Sequence, residues 1–328
     1  MNTFLSKKFE STFIPHSLKN RSILNNDIRE ITKAFNSAIY TKNIEKAYYL
    51  STELILSGQY DKVLHTLINN YFNEINSGCV QGLLFIRNFY EHYNKYDFRD
   101  KKMNQLALVN DQVLRNFIFF IITLNSSAKT NKLLKLVKIE AADFNMENKK
   151  QNLISKNLNL VNQFIKTDDP KEIIIPLSEI CNYLTNDSLS SRETNIIYWY
   201  SWILQFEKSF HNGNMIVSSR VIENVDFKYR RDFIWIIWEI LKTYTSKHIR
   251  EYIDCLYNLF IYGYSRTNKR SKAYLIIMAI NLIINQQPHL SYPIPPLDDK
   301  IYKGCILASL KNNLYYLKIL QQSITKNI

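Results

Sequence analysis

This sequence predicts an all-α fold, on three observations. Apolar residues recur at helical spacing along most of its 328 positions, Gly (6) and Pro (7) are both scarce, and no convincing strand pattern appears. All-β folds need many turn residues, so that scarcity favours long helices. The expected architecture is an irregular multi-helix bundle, or an array of helical hairpins, with about a dozen helices.

Residues 1–25 are polar, contain Pro15 and read as an irregular N-terminal arm. Asn26 or Asp27 then caps a helix carrying Ile28, Ile31, Phe35, Ala38 and Ile39. Asn43 caps a second helix, which Gly58 ends in a left-handed turn, and Asp61 opens a third along Leu64, Leu67, Ile68, Tyr71, Phe72 and Ile75. Two helices joined at one glycine make an antiparallel hairpin. Gly78 and Gly82 separate it from an aromatic helix near 83–96, and 97–102 is a charged loop. Asn110-Asp111 caps the apolar helix 113–124. Lys129, Lys132, Lys135 and Lys138 would then line one side of a further helix.

The polar stretch 140–150 is the best boundary. After the arm the chain is one helical domain, 26–328, or two lobes, 26–139 and 151–328, joined there. A helix over 151–167 leads to Asp168-Asp169-Pro170, a cap with proline at the first helical position, and Pro176 kinks or restarts the helix so begun. Ser191 caps a helix through Trp199 and Trp202, and a short helix near 216–224 precedes a second tryptophan helix holding Trp235 and Trp238. These four tryptophans are the expected structural core, because large aromatic side chains bury the most surface. Helices near 249–260 and 273–284, a proline-rich loop at 288–296, and a final helix capped by Asp298 complete the chain. The final helix carries Ile306, Leu310, Leu314, Leu317 and Leu320.

The formal charge of +13 favours acidic partners, although heavy use of Lys, Asn, Ile and Tyr also reflects an AT-rich coding bias. Cys79, Cys181, Cys255 and Cys305 are widely spaced and read as reduced thiols of an intracellular protein. The apolar runs are too short to span a bilayer, and 1–10 lacks the core of a signal peptide.

Chemistry is hard to find. No phosphate-binding glycine loop, zinc-protease helix or serine-nucleophile elbow occurs, and the histidines lack metal-ligand spacing, so no catalytic residue, metal or cofactor is expected. Asp168-Asp169 and Asp298-Asp299 read as caps rather than catalytic pairs. Glu53 and Glu239 lie among apolar residues; charge pairing is preferred over a functional carboxylate. Two basic features remain as nucleic-acid candidates. One is Arg266, Lys269, Arg270 and Lys272, with Tyr264 beside them to stack a base; the other is Lys129, Lys132, Lys135 and Lys138.

Three stretches carry a resemblance: Ser51-Thr52-Glu53-Leu54 through Ser57-Gly58, Asn110-Asp111-Gln112-Val113-Leu114-Arg115-Asn116, and Tyr198-Trp199-Tyr200-Ser201-Trp202-Ile203-Leu204. Together they resemble an uncharacterised helical protein family of nucleocytoplasmic large DNA viruses, over most of the chain. The resemblance implies a viral setting, in host cytoplasm or virion, and a non-enzymatic role. It brings no catalytic residues. The sequence thus points first to a scaffold or adaptor binding other proteins of a replication, transcription or assembly complex. A nucleic-acid-binding accessory factor is the alternative, and an enzyme without a recognisable motif is third.

Overall fold

The computed structural model describes residues 20–93, 107–108, 110–146, 153–154, 158–285, 311 and 314–322. Among them are eleven α-helices, then helical residues 314–322, and no strand beyond two isolated bridges, Arg21 with Asp27 and Ile216 with Asp232. The fold is all-α. Its helices belong to two compact units, one of Met1–Asn131 with Pro296–Ile328 and one of Lys132–Pro295.

The first unit contains α1 (Ile28–Tyr40), α2 (Ile44–Leu56), α3 (Tyr60–Asn70), α4 (Gly82–Tyr93) and α5 (Gln112–Ser127). Three starts are capped as their residue types require. The Asp27 carboxylate accepts from the Arg29 and Glu30 N–H groups, Asn43 from Lys46, and Asp111 from Leu114. Gly58 closes α2 at φ +74°. The stripes on α1 and α3 are buried as the spacing predicts, and α3 runs into a π turn, Tyr71–Ile75, that keeps Tyr71, Phe72 and Ile75 inside. The central α5 packs against α1 to α4. Tyr48 stacks on Phe119 at 4.2 Å and its hydroxyl lies 2.6 Å from Thr123 Oγ1.

Two expectations for this unit need correction. Residues 20–25 are irregular but docked, because Ser22 Oγ donates to Glu53 Oε1, Ile23 N–H donates to Ser57 Oγ, and Leu24 is buried. In 314–322 the buried face is Tyr316 and Ile319, while Leu314 is 67% exposed. Arg115 explains the choice: its guanidinium sits 4.5 Å over the Tyr316 ring, and the Tyr316 hydroxyl donates to Asn110 Oδ1. Residues 1–19, the loop at 97–102, the proline loop, Asp298-Asp299, Ile306, Leu310 and Cys305 lie outside the described residues.

The second unit contains α6 (Asn159–Asn162), α7 (Ile174–Thr185), α8 (Arg192–His211), α9 (Ile234–Thr243), α10 (Arg250–Ile261) and α11 (Ala273–Asn285). Helices α7 and α8 pack as a pair, and α11 packs on α8, α9 and α10. Trp199, Trp202, Trp235 and Trp238 are all buried, and Phe233–Trp238 is buried at every position. Two indole N–H groups find backbone acceptors, Trp202 donating to Asp143 O and Trp235 to Tyr229 O.

Here the sequence misleads in several places. The units part at Asn131–Lys132, not within 140–150. Residues 140–146 belong to the second unit because Phe144 packs edge-on against Trp202 and Phe210, and Val137 N–H donates to Ser201 Oγ. Of the helix expected over 151–167, the described residues hold one turn, α6. The helix expected at 216–224 is an extended path. Met215 and Val217 are buried with Ile216 exposed between them, and the Val217 and Arg220 N–H groups donate to Arg231 O and Arg230 O. Ser191 sits in the left-handed region and makes no side-chain cap to α8. Pro176 falls in the first turn of α7, where the helix restarts after a 3-10 turn, Lys171–Ile173.

Candidate functional site

The densest basic cluster is built into the core. Lys269 is buried, and its Nζ lies 2.5 Å from Glu207 Oε1, 3.0 and 2.9 Å from the Asp232 oxygens, and 4.6 Å from the Phe233 ring centroid. Burial pushes the Glu207 carboxyl above its usual range, and the Lys269 ammonium counters it. Arg266 Nε is 3.9 Å from Asp232 Oδ2 and its Nη1 donates to Asn214. Two cations thus face two carboxylates. Lys272 donates to the carbonyls of Leu259, Phe260 and Tyr262, closing the end of α10, and burial brings its pKa down to about 8. Tyr264 is 7% exposed and packs against Trp235, Phe260 and Tyr229, so no base can stack on it. Arg270 alone of the four cations is exposed. As a phosphate site, Arg266, Lys269, Lys272 and Tyr264 are corrected to structural residues.

The lysine series does not lie on the helix expected for it. Residues 129–140 form no helix; the segment is irregular, with Leu133 and Ile139 turned inward. Without a helix, a spacing of three no longer gathers side chains on one face. Lys129, Lys132, Lys135 and Lys138 are exposed, and Lys138 pairs with Glu140 at 2.7 Å.

A second buried network leaves no sign in the sequence. Asp169, expected to cap a helix, forms a bidentate pair with Arg220: Nη1 to Oδ1 is 2.8 Å and Nη2 to Oδ2 is 2.7 Å, both side chains being essentially inaccessible. The Ser218 and Lys166 N–H groups also donate to this carboxylate, and Arg220 Nη2 donates to Phe164 O. Glu239 lies 3.7 Å from Arg220 Nε, and burial raises its pKa against the pull of that guanidinium. Glu53 accepts from Ser22 Oγ and Asn26 Nδ2. Both carboxylates therefore serve charge pairing or hydrogen bonding. Among the described residues no cluster of His, Cys, Asp and Glu could hold a metal, Cys79, Cys181 and Cys255 are buried thiols outside any disulfide, and no helix is long and apolar enough to cross a membrane.

A groove of about 630 Å³ opens to solvent between α1 and α3. The outer face of α1 supplies Asn36 and Tyr40, the latter 74% exposed; α3 and its π turn supply His65, Thr66, Asn69 and Asn73. Thr66 Oγ1 donates to Asn36 Oδ1 across the two helices at 2.9 Å. Asn69 Nδ2 lies 3.1 Å from His65 Nδ1, and Asn73 Nδ2 donates to Asn69 O at 2.8 Å. The lining contains no lysine or arginine, and Glu74 is its one carboxylate. Most of its polar groups are primary amides and hydroxyls, which bind by hydrogen bonds.

No family model, curated protein or solved structure matches the chain.

Proposed function

We propose that this protein is a non-enzymatic helical scaffold or adaptor that binds other proteins of a larger complex. One observation supports this reading above others: the ionisable residues best placed to do chemistry or hold phosphate are spent on internal pairs. Lys269 and Arg266 face Glu207 and Asp232, Arg220 is held by Asp169, and Lys272 closes a helix end. Outward features include the groove and exposed apolar side chains such as Val221 (92%) and Phe227 (72%), which suit protein contacts. The resemblance to a viral helical family points the same way, toward a partner within a replication, transcription or assembly complex.

A photo-crosslinking amino acid placed at Tyr40, and separately at Phe227, tests the reading in the cells that make the protein. The expected product is a crosslinked polypeptide that survives nuclease treatment and moderate salt. Crosslinks to nucleic acid instead, with binding that weakens linearly in log affinity against log salt, would make the protein an accessory factor of nucleic acid.

A further inference from the structure

We propose that residues 132–139 of the second unit are a docking strand for an acidic, extended polypeptide segment of a partner protein. The inference rests on the scaffold reading and names the chemistry of the partner.

The segment is held open in advance. Residues 132–139 run without a helical residue, a turn or a bend. The chain there is extended and covers about 26 Å, at about 3.3 Å per residue. Leu133 and Ile139 are buried, Leu136 is half-buried between them, and the Val137 N–H donates to Ser201 Oγ of α8 at 3.0 Å. Anchors that fix the path beforehand reduce the ordering that binding would otherwise require.

Its main chain is unpaired. Among the described residues, the N–H groups of Leu133, Leu134, Lys135, Leu136, Lys138 and Ile139 donate to no acceptor, and that of Val137 goes to a side chain. Successive residues of an extended chain turn their N–H and C=O groups to opposite edges. With Val137 turned to α8, its neighbours Leu136 and Lys138 present theirs on the other edge. An extended edge of this kind is a template for a second strand.

Charge selects the strand. Lys132, Lys135 and Lys138 are exposed, one at every third residue, and the segment contains no carboxylate. Lys138 meets Glu140 at 2.7 Å, but both side chains are well exposed and such pairs are weak. A second copy would set lysines against lysines, on a chain that already carries +13, so self-pairing is disfavoured. Nucleic acid would suit the lysines, but phosphate oxygens only accept and leave the peptide C=O groups unmet. Nor does 132–139 hold an aromatic ring on which a base could stack. A strand carrying Asp or Glu meets both requirements, main chain to main chain and carboxylate to ammonium. Leu134 (41% exposed) and Val137 (39%) add apolar contacts between the lysines.

The experiment pans a displayed library of random peptides, each about twelve residues long, against the full chain at about 50 mM NaCl. The expected binders are acidic, and their affinity falls about tenfold or more by about 300 mM NaCl. Lys132→Gln/Lys135→Gln/Lys138→Gln should lose about tenfold or more with an unchanged thermal midpoint. Lys46→Gln/Lys62→Gln/Lys247→Gln, which removes the same charge from exposed positions elsewhere, should stay within about twofold. An N-methyl group placed on each amide of the tightest peptide in turn should cost about tenfold or more at every second position. No enrichment, binders without an acidic bias, an equal loss in the two triple variants, or an N-methyl profile without period two would overturn the proposal. So would oligothymidylate that binds the segment more tightly than the peptide does. The scaffold reading is judged apart, by the polypeptide crosslinked at Tyr40 or Phe227: where it is captured although no acidic peptide binds 132–139, only the docking-strand proposal has failed.

Discussion

Lys269 is worth more to the second unit than any of the exposed lysines. Replacing it with Met leaves Glu207 and Asp232 buried without their cation, so urea denaturation should register a loss of about 3–5 kcal/mol, whereas Arg270→Met should stay within about 0.5 kcal/mol. Asp169 gives the pH signature. Burial pushes its carboxyl up, but Arg220 and the Lys166 and Ser218 N–H groups hold it below the usual range. A depressed native pKa contributes stability above the unfolded value, about 3.9, and loses it as the pH falls through the native one. Removing Arg220 frees the carboxylate to take a proton. The stability gap between wild type and Arg220→Met should therefore narrow on going from about pH 6 to pH 4, and a constant gap would mean that Asp169 is not the group responsible. None of this is legible in the chain, because Asp169 and Arg220 are 51 positions apart and an Asp before Pro-Lys-Glu has an ample local explanation as a cap. The groove is hidden by composition: Asn36, Asn69 and Asn73 do not stand out in a chain that uses asparagine everywhere.

At the level of single elements, the sequence is most informative where cap and stripe agree. Asp27 with Ile28, Ile31, Phe35, Ala38 and Ile39, and the long stripe of α3, are local signals, and both helices form accordingly. The lysine spacing of 129–138 is helix-like too, yet nothing local shows that Leu133 and Ile139 are the anchors of an irregular segment. Glycines divide in the same way. Gly58 is legible as the end of α2, but Gly213, just past the end of α8, has φ +75° against +74° for Gly58. Valine at either position should thus cost a similar amount, about 1–2 kcal/mol, in a denaturation series. Gly82 reads as a separator, whereas a Cβ there would lie 2.6 Å from the Tyr71 ring and 2.8 Å from Leu124. Gly82→Ala should cost about 1–3 kcal/mol through this overpacking, measured as a lowered denaturation midpoint with an unchanged slope.

For the molecule as a whole, the sequence announces the helical class through its scarcity of turn residues, but not the way the chain is shared between two units. The first unit takes helices from both sides of the second in sequence, and only tertiary contacts such as Arg115 over Tyr316 reveal it. Ile319→Ala should therefore destabilise the first unit by about 2–5 kcal/mol in thermal unfolding, while Leu314→Ala, at an exposed position of the same helical segment, should change it by less than about 0.5 kcal/mol. This arrangement has a consequence for synthesis. Tyr316 comes 206 residues after Asn110, its hydrogen-bond partner, so at ribosomal rates of about 5–20 residues per second the site that receives it waits about 10–40 s. During that interval the whole second unit emerges and can collapse on its own tryptophans, while the nascent first unit shows an unfinished apolar face to its surroundings. Chains arrested on the ribosome near residue 295 should present a protease-resistant second unit once it has cleared the exit tunnel, and a first unit still open to cleavage and to chaperones.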